Sequence, residues 1–179
     1  MENANAYSWT DAADQVANGK AAMTLMGTWI TGYWNGNNLK PVDDYDFFPF
    51  PTITEGVPNA VVGPVDGWVM SKGSKDNAAT AELMSFLVTD PDSSAAWAQG
   101  QGALSPNMNV DSSIYTPVMK KASETVAKAE VFAFNYDLAT TPPMAEGGLT
   151  MFAQFMDDPA NFQDYLKTTE DVAKDVFKK

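Results

Sequence analysis

The chain contains neither cysteine nor histidine among its 179 residues. The first absence removes every disulfide and thiolate site and leaves the redox compartment open. The second removes His-dependent nucleophile triads, His-based zinc sites and imidazole acid–base chemistry. Positive charge is also scarce: 11 basic residues face 23 acidic ones, a formal net charge of −12. Nucleic acid and anionic membrane surfaces both need a positive footprint, so neither is an expected partner. No apolar run approaches the roughly 20 residues of a membrane span. Residues 1–20 carry no apolar signal-peptide core. What is present suits a globular chain: 45% hydrophobic and 19% charged residues, in a length that can bury a core.

The organising stretch is Gly19–Trp29. A helix is expected over Asp11–Ala17 with Thr10 as its N-cap, ended by Gly19 in the left-handed conformation. Ala21–Met26 is an apolar run without alternation, the pattern of a strand covered on both faces in a parallel α/β sheet. Met23 and Met26 read there as core filler. Gly27 allows a sharp turn, and Trp29 falls just past the strand's carboxyl end, where open α/β sheets bind ligands.

Beyond it, Ile30–Trp34 continues as a short helix that breaks in Asn35–Asn38. Tyr45–Pro51 reads as a second strand whose two prolines suit an edge or a strand end, not a sheet centre. Val61–Met70 reads as a third strand region, interrupted at Gly63-Pro64 and Asp66-Gly67. Helices follow over Asn77–Val88 and over Asp92–Gln99, the latter capped by Asp90 before Pro91. Ser112 or Ser113 is placed to cap a helix with Tyr115, Met119, Ala122 and Val126 on one face. Phe132–Pro143 reads as an irregular aromatic connection, followed by a helix over about Leu149–Met156. The last helix opens at Asp158-Pro159 and presents Phe162, Tyr165, Leu166, Thr169, Ala173, Val176 and Phe177. The result is few strands and many helices, with no repeat and no low-complexity tract.

Five stretches in this order resemble the carboxyl-terminal half of a family 1 extracellular solute-binding protein of sugar ABC transporters. They are Gly19-Lys20-Ala21-Ala22-Met23 with Gly27-Thr28-Trp29, Gly63–Trp68, Gly102–Asn107, Asn135–Pro143, and the closing amphipathic helix. The resemblance implies an α/β fold of the type II periplasmic-binding-protein kind, here as a helix-rich half with a few strands. It implies two lobes that close on a sugar, with residues 1–60 and 108–179 in the second lobe and 61–107 returning to the first. The family's amino-terminal half and signal sequence are not in this sequence, which is expected to be a fragment or to complete its sheets some other way. The implied setting is periplasmic or extracellular, with a lipoprotein anchor as one option. The implied partners are a mono- or oligosaccharide and, through the full-length protein, a transporter permease. No cofactor is implied.

Trp29 is the leading ligand candidate, since a flat indole with one N–H suits the C–H face of a sugar ring; in the resembled family this Trp stacks on the sugar. It could instead pack a strand–helix turn. Asp66 offers a carboxylate acceptor for hydroxyls, or bonds its own turn. Trp68 points to the same side as Asp66 if the segment is extended, or starts a core strand. Asn135 and Asp137 lie where relatives place a polar contact, or satisfy their own loop. Asn107 and Trp34 are further candidates. The Asp43-Asp44-Asp46 cluster lacks the glycine and distal Glu of a calcium loop and reads as a solvated turn.

Two other classes fit the same residues. Aromatics interleaved with Asp66, Asp137 and Glu146 also suit a glycoside hydrolase or lyase, which needs a carboxylate pair roughly 5–9.5 Å apart. Alternatively, the chain self-associates through exposed sheet edges and binds no ligand.

Overall fold

The structure is a computed structural model describing residues 4–178. The chain forms two compact units. The larger takes residues 9–59 and 65–130; the smaller takes the described residues up to Ser8, Ala60–Pro64 and the chain from Val131 onward.

The larger unit is built from helices. α1 (Trp9–Ala17) ends as expected, with Gly19 at φ 67°. It starts before Thr10, which therefore lies in the first turn and not at the cap. α2 (Trp29–Gly36) carries Ile30 and Trp34 on its buried side. These two pack with Ala13 of α1, Tyr45 and Val118 to form the core, flanked by Val16, Met26, Tyr33, Leu39 and Phe47. Polar handles of the large aromatics are satisfied inside it. The Trp34 indole N–H donates to the Ala13 carbonyl at 3.3 Å, and the Tyr45 hydroxyl donates to Asn35 Oδ1 at 2.6 Å. Each such ring contributes about 1.5–3 kcal/mol by leaving water.

α3 (Asn77–Thr89) and α4 (Pro91–Gln101) meet at a corner made by Asp90. Its carboxylate accepts from the Ser93 N–H at 2.8 Å, and Pro91 occupies the first turn, where a missing N–H costs nothing. Asp76 caps α3 in the same way, through the Ala79 N–H. α5 (Pro117–Lys128) is capped by Thr116, not by Ser112 or Ser113. Those serines belong to a single 3-10 turn, itself capped by Asp111, so Tyr115 stands outside the helix. Pro117 decides this: its fixed φ suits a first turn and disfavours helix in the residue before it.

Three expected strands are corrected. Ala21–Met26 and Tyr45–Pro51 are not strands, and Val61–Met70 contracts to β1 (Ala60–Val62). A strand exists only by pairing, and among the described residues no strand lies beside Ala21–Met26, Tyr45–Pro51 or the part of the third segment beyond Val62. Pro49 and Pro51 also remove two donors from the second segment. Met23 is exposed and is not core filler; Met26 packs at the edge of the core as expected.

The smaller unit holds the one ladder among the described residues. β1 pairs in parallel with β2 (Val131–Ala133), in the register Ala60↔Val131, Val61↔Phe132 and Val62↔Ala133. Phe132–Pro143 is therefore not wholly irregular. α6 (Pro142–Asp157) begins seven residues before the expected Leu149, because Thr141-Pro142-Pro143 is an N-terminal helix signature and not a break. It packs against α7 (Phe162–Val176), and Gly147 leaves room for Val172. Asn5 ties the start of this unit to the end of α6, donating to the Ala153 carbonyl at 3.0 Å and to Asp157 Oδ1 at 2.7 Å.

Candidate functional site

Trp29 is the first residue of α2, and its side chain turns back over the preceding bend. A Cβ added to Gly27 would lie 2.5 Å from Trp29 Cε3, so the six-membered part of the indole rests directly on the glycine backbone. No other residue type leaves that space. The ring is held on one side and is 36% exposed. Trp34, one turn further along α2, is 6% exposed and belongs to the core, which removes it from the candidates.

α2 is anchored to α4 by glycines. A Cβ on Gly32 would meet the Gln101 carbonyl carbon at 2.8 Å and Gly102 N at 2.9 Å, and Gly102 sits at φ 65° against Thr31. Small residues on both sides bring the two backbones into contact. Beside this junction lies a cleft of about 210 Å³, lined by Thr31, Asn35, Ala98, Gln99, Gly102, Ile114, Tyr115, Thr116 and Met119. None of its lining residues is charged, and none is among the predicted ligand contacts.

Asp66 and Trp68 stand on the stretch after Pro64, both exposed and also in the larger unit. The Trp68 ring meets Trp97 of α4 edge-to-face, with centroids 4.8 Å apart and planes at 63°. Sequence reasoning missed Trp97. The available signal was a single large ring on a helix otherwise made of small and polar residues, Pro91–Gln101. Asn107 serves the local structure, where its amide donates to the Val88 and Thr89 carbonyls and to Ser94 Oγ and so pins the α3–α4 corner.

Asn135 and Asp137 belong to the smaller unit, between β2 and α6. The Asn135 backbone carbonyl accepts from the Leu138 and Ala139 N–H groups, closing a tight turn. Its side-chain Oδ1 is buried and has no hydrogen-bond partner. Next to it, Tyr136 lies over Gly148, donates to the Met144 carbonyl at 2.9 Å and packs edge-to-face on Phe152 at 6.1 Å. Asp137 is exposed, as is Glu146 on α6. The structure thus groups Trp29, Asp66 and Trp68 in one unit, and Asn135 and Asp137 in the other.

Tyr33 is raised from its ordinary value of 10.0, chiefly because its hydroxyl donates to Asp14 and so resists losing its proton. Asp46 is lowered by Lys121, which bonds it at 2.9 Å, and by the Phe47 N–H. Among the described residues no cluster of acidic side chains is arranged to hold a metal ion. No helix among them is long and apolar enough to cross a membrane.

Comparison with known proteins supplies the family. A profile of the family described as bacterial extracellular solute-binding protein matches residues 1–94. An uncharacterized ABC transporter extracellular-binding protein of Pyrococcus horikoshii is 29% identical over 170 residues, 94% of this chain and 35% of its own length. Probable sugar-binding periplasmic proteins of Brucella suis and Brucella melitensis are each 26% identical over 128 residues, 72% of this chain and 30% of theirs. The chain therefore spans about a third of the length of the curated relatives it matches. Matched over more than half its residues, and with the glycine-seated Trp29 inside the matched region, the chain belongs to the bacterial extracellular solute-binding protein family.

Proposed function

We propose that this chain is part of the solute-capturing component of an ABC importer, that its solute is a carbohydrate, and that it binds without catalysis. The observation that carries the reading is the Trp29 indole, seated on Gly27 at the start of α2 with its outer side open. A sugar ring offers a face of C–H groups to such a surface, and the fixed seat means little freedom is lost on binding. Asp66, Trp68, Asn135 and Asp137 supply the remaining contacts. A carboxylate accepts strongly from hydroxyls, and the unpartnered Asn135 Oδ1 is an acceptor waiting for a donor. In the complete protein, residues 1–60 and 108–179 form segments of the second lobe, 61–107 return to the first, and the ligand is held between lobes. The whole protein works outside the cytoplasmic membrane, secreted or lipid-anchored, and hands its sugar to the permease.

The test is titration of the chain with a panel of mono- and disaccharides, followed by calorimetry and tryptophan fluorescence. Saturable binding of at least one sugar, without release of reducing ends, is the expected result. Binding of none overturns the carbohydrate reading, and turnover of an oligosaccharide favours a hydrolase or lyase using Asp66, Asp137 or Glu146.

A second reading concerns assembly. Ala21–Met26 exposes Leu25 at 79% and has no neighbouring strand among the described residues, so its backbone can pair with a second copy. Light scattering distinguishes a monomer from such an edge-paired dimer.

A further inference from the structure

The Trp68–Trp97 pair belongs neither to the core nor to the Trp29 seat. The two rings keep 43% and 45% of their surfaces in water, although each packs on the other. Trp97 faces outward because the buried stripe of α4 runs through Ser94 and Ala98, and a position one residue before Ala98 is turned about 100° away from it. Among the described residues neither of these indole N–H groups has an acceptor, and the Asp66 carboxylate, two residues before Trp68, has no hydrogen bond or ion pair. Two aromatic surfaces in contact, their two free donors and, two residues along the chain, one free charged acceptor thus lie on one short stretch and one helix. A protein-docking patch would fit the rings alone, but the core of such a patch is depleted of charge. A free carboxylate two residues from Trp68 in the chain suits a ligand made of C–H faces and hydroxyls.

We propose that Trp97 is a ligand-contacting residue that forms, with Trp68, an aromatic corner for a second ring of an oligosaccharide; this rests on the carbohydrate reading above. The corner is a separate platform, because Trp29 makes no ring contact with either member. One sugar ring on Trp29 and another at the corner divide recognition between α2 and α4, which meet at Gly32 and Gly102. The corner therefore sets preference for chain length.

The experiment compares wild type, Trp97→Ala, Trp97→Phe and Trp29→Ala by calorimetry. The probes are glucose, galactose, mannose and xylose, each with its linear trisaccharides. Trp97→Ala is expected to weaken the trisaccharide about tenfold and leave the monosaccharide within about twofold, with Trp97→Phe between. Trp29→Ala is expected to weaken both. Equal affinities in wild type and Trp97→Ala, equal losses for both probe lengths, or a wild type that binds only monosaccharides overturns the corner and leaves the carbohydrate reading standing. A wild type that binds no probe overturns the carbohydrate reading and the corner with it. Circular dichroism of the exposed-site variants checks that the fold is retained.

Discussion

The indole of Trp29 rests on the α-carbon of Gly27, and the two residues act as one feature. The glycine is a seat, and its lack of a side chain fixes where the ring lies. Gly27→Ala is therefore expected to displace the ring without deleting it. A Cβ would press on the ring carbons, and an aromatic side chain has no flexible end that could yield. Sugar affinity should fall nearly as far as in Trp29→Ala, while the melting temperature changes little because the ring is already partly in water. Calorimetry of both variants checks this; undiminished affinity in Gly27→Ala would mean that the seat does not matter.

Trp29 and Trp34 lie on the same short helix, yet their deletion should produce opposite phenotypes. Trp34 is buried, packs on Tyr45 at 4.9 Å between centroids and donates to the Ala13 carbonyl. Trp34→Ala should cost about 3–5 kcal/mol through lost burial and the cavity left behind. Trp29→Ala should cost a small fraction of that. Urea unfolding separates the two, and Trp34→Phe, which keeps a ring but loses the N–H bond to the Ala13 carbonyl, should fall between them. Equal destabilisation at positions 29 and 34 would place Trp29 in the core.

Local signals carried much of this architecture. The Asp90-Pro91 corner and the Gly19 helix stop depend on residues near in sequence, and each stands as expected; the amphipathic last helix is there too, but it starts at Phe162, because Asp158-Pro159 opens a separate 3-10 turn over Pro159–Asn161. The strands do not stand as expected, for a physical reason. Apolar runs such as Ala21–Met26 state a willingness to pair, but the partner is a property of the rest of the fold, and among the described residues no neighbour is there. The start of α6 at Thr141-Pro142-Pro143 is ambiguous in sequence, since a Pro pair ends one helix as well as it begins another. Of the candidate ligand residues, Trp29 was nameable from its place after a glycine. Trp97 was not, because its significance lies in a ring contact with Trp68 that no local pattern encodes.

The pH limbs of stability should trace to identifiable groups. Tyr33 is raised by its bond to Asp14, and Tyr45 by burial. A raised group holds its proton more tightly when folded, so its contribution is complete below its ordinary value of 10.0 and is lost as pH climbs through the higher folded value. Asp46, lowered first by Lys121, and Asp111, lowered first by the Ser113 N–H, behave oppositely. Their contribution is complete above the ordinary 3.8 and disappears as pH drops through the lower folded value. Tyr33→Phe should flatten the alkaline limb and Asp46→Asn the acid one, each leaving the other limb unchanged in pH-dependent urea unfolding. An alkaline limb untouched by Tyr33→Phe would sever the link to Asp14.

The α2–α4 junction should be the least forgiving place in the larger unit. At Gly32 an added Cβ would meet backbone atoms, the Gln101 carbonyl carbon at 2.8 Å and the Gly100 oxygen at 2.9 Å, which cannot rotate away as a side chain can. Gly32→Ala therefore has to push the helices apart, with a cost of about 1–3 kcal/mol typical of overpacking. Gly102→Ala adds a conformational penalty, since φ 65° is unfavourable for any residue with a Cβ. Gly36, with nothing near its missing side chain, is the internal control on the same helix. Gly36→Ala should leave the urea midpoint unchanged or raised, whereas Gly32→Ala and Gly102→Ala lower it. Because Trp29 rides on α2 and Trp97 on α4, the two junction variants should also weaken trisaccharide more than monosaccharide. An unchanged midpoint in Gly32→Ala would show that the two backbones are not in contact.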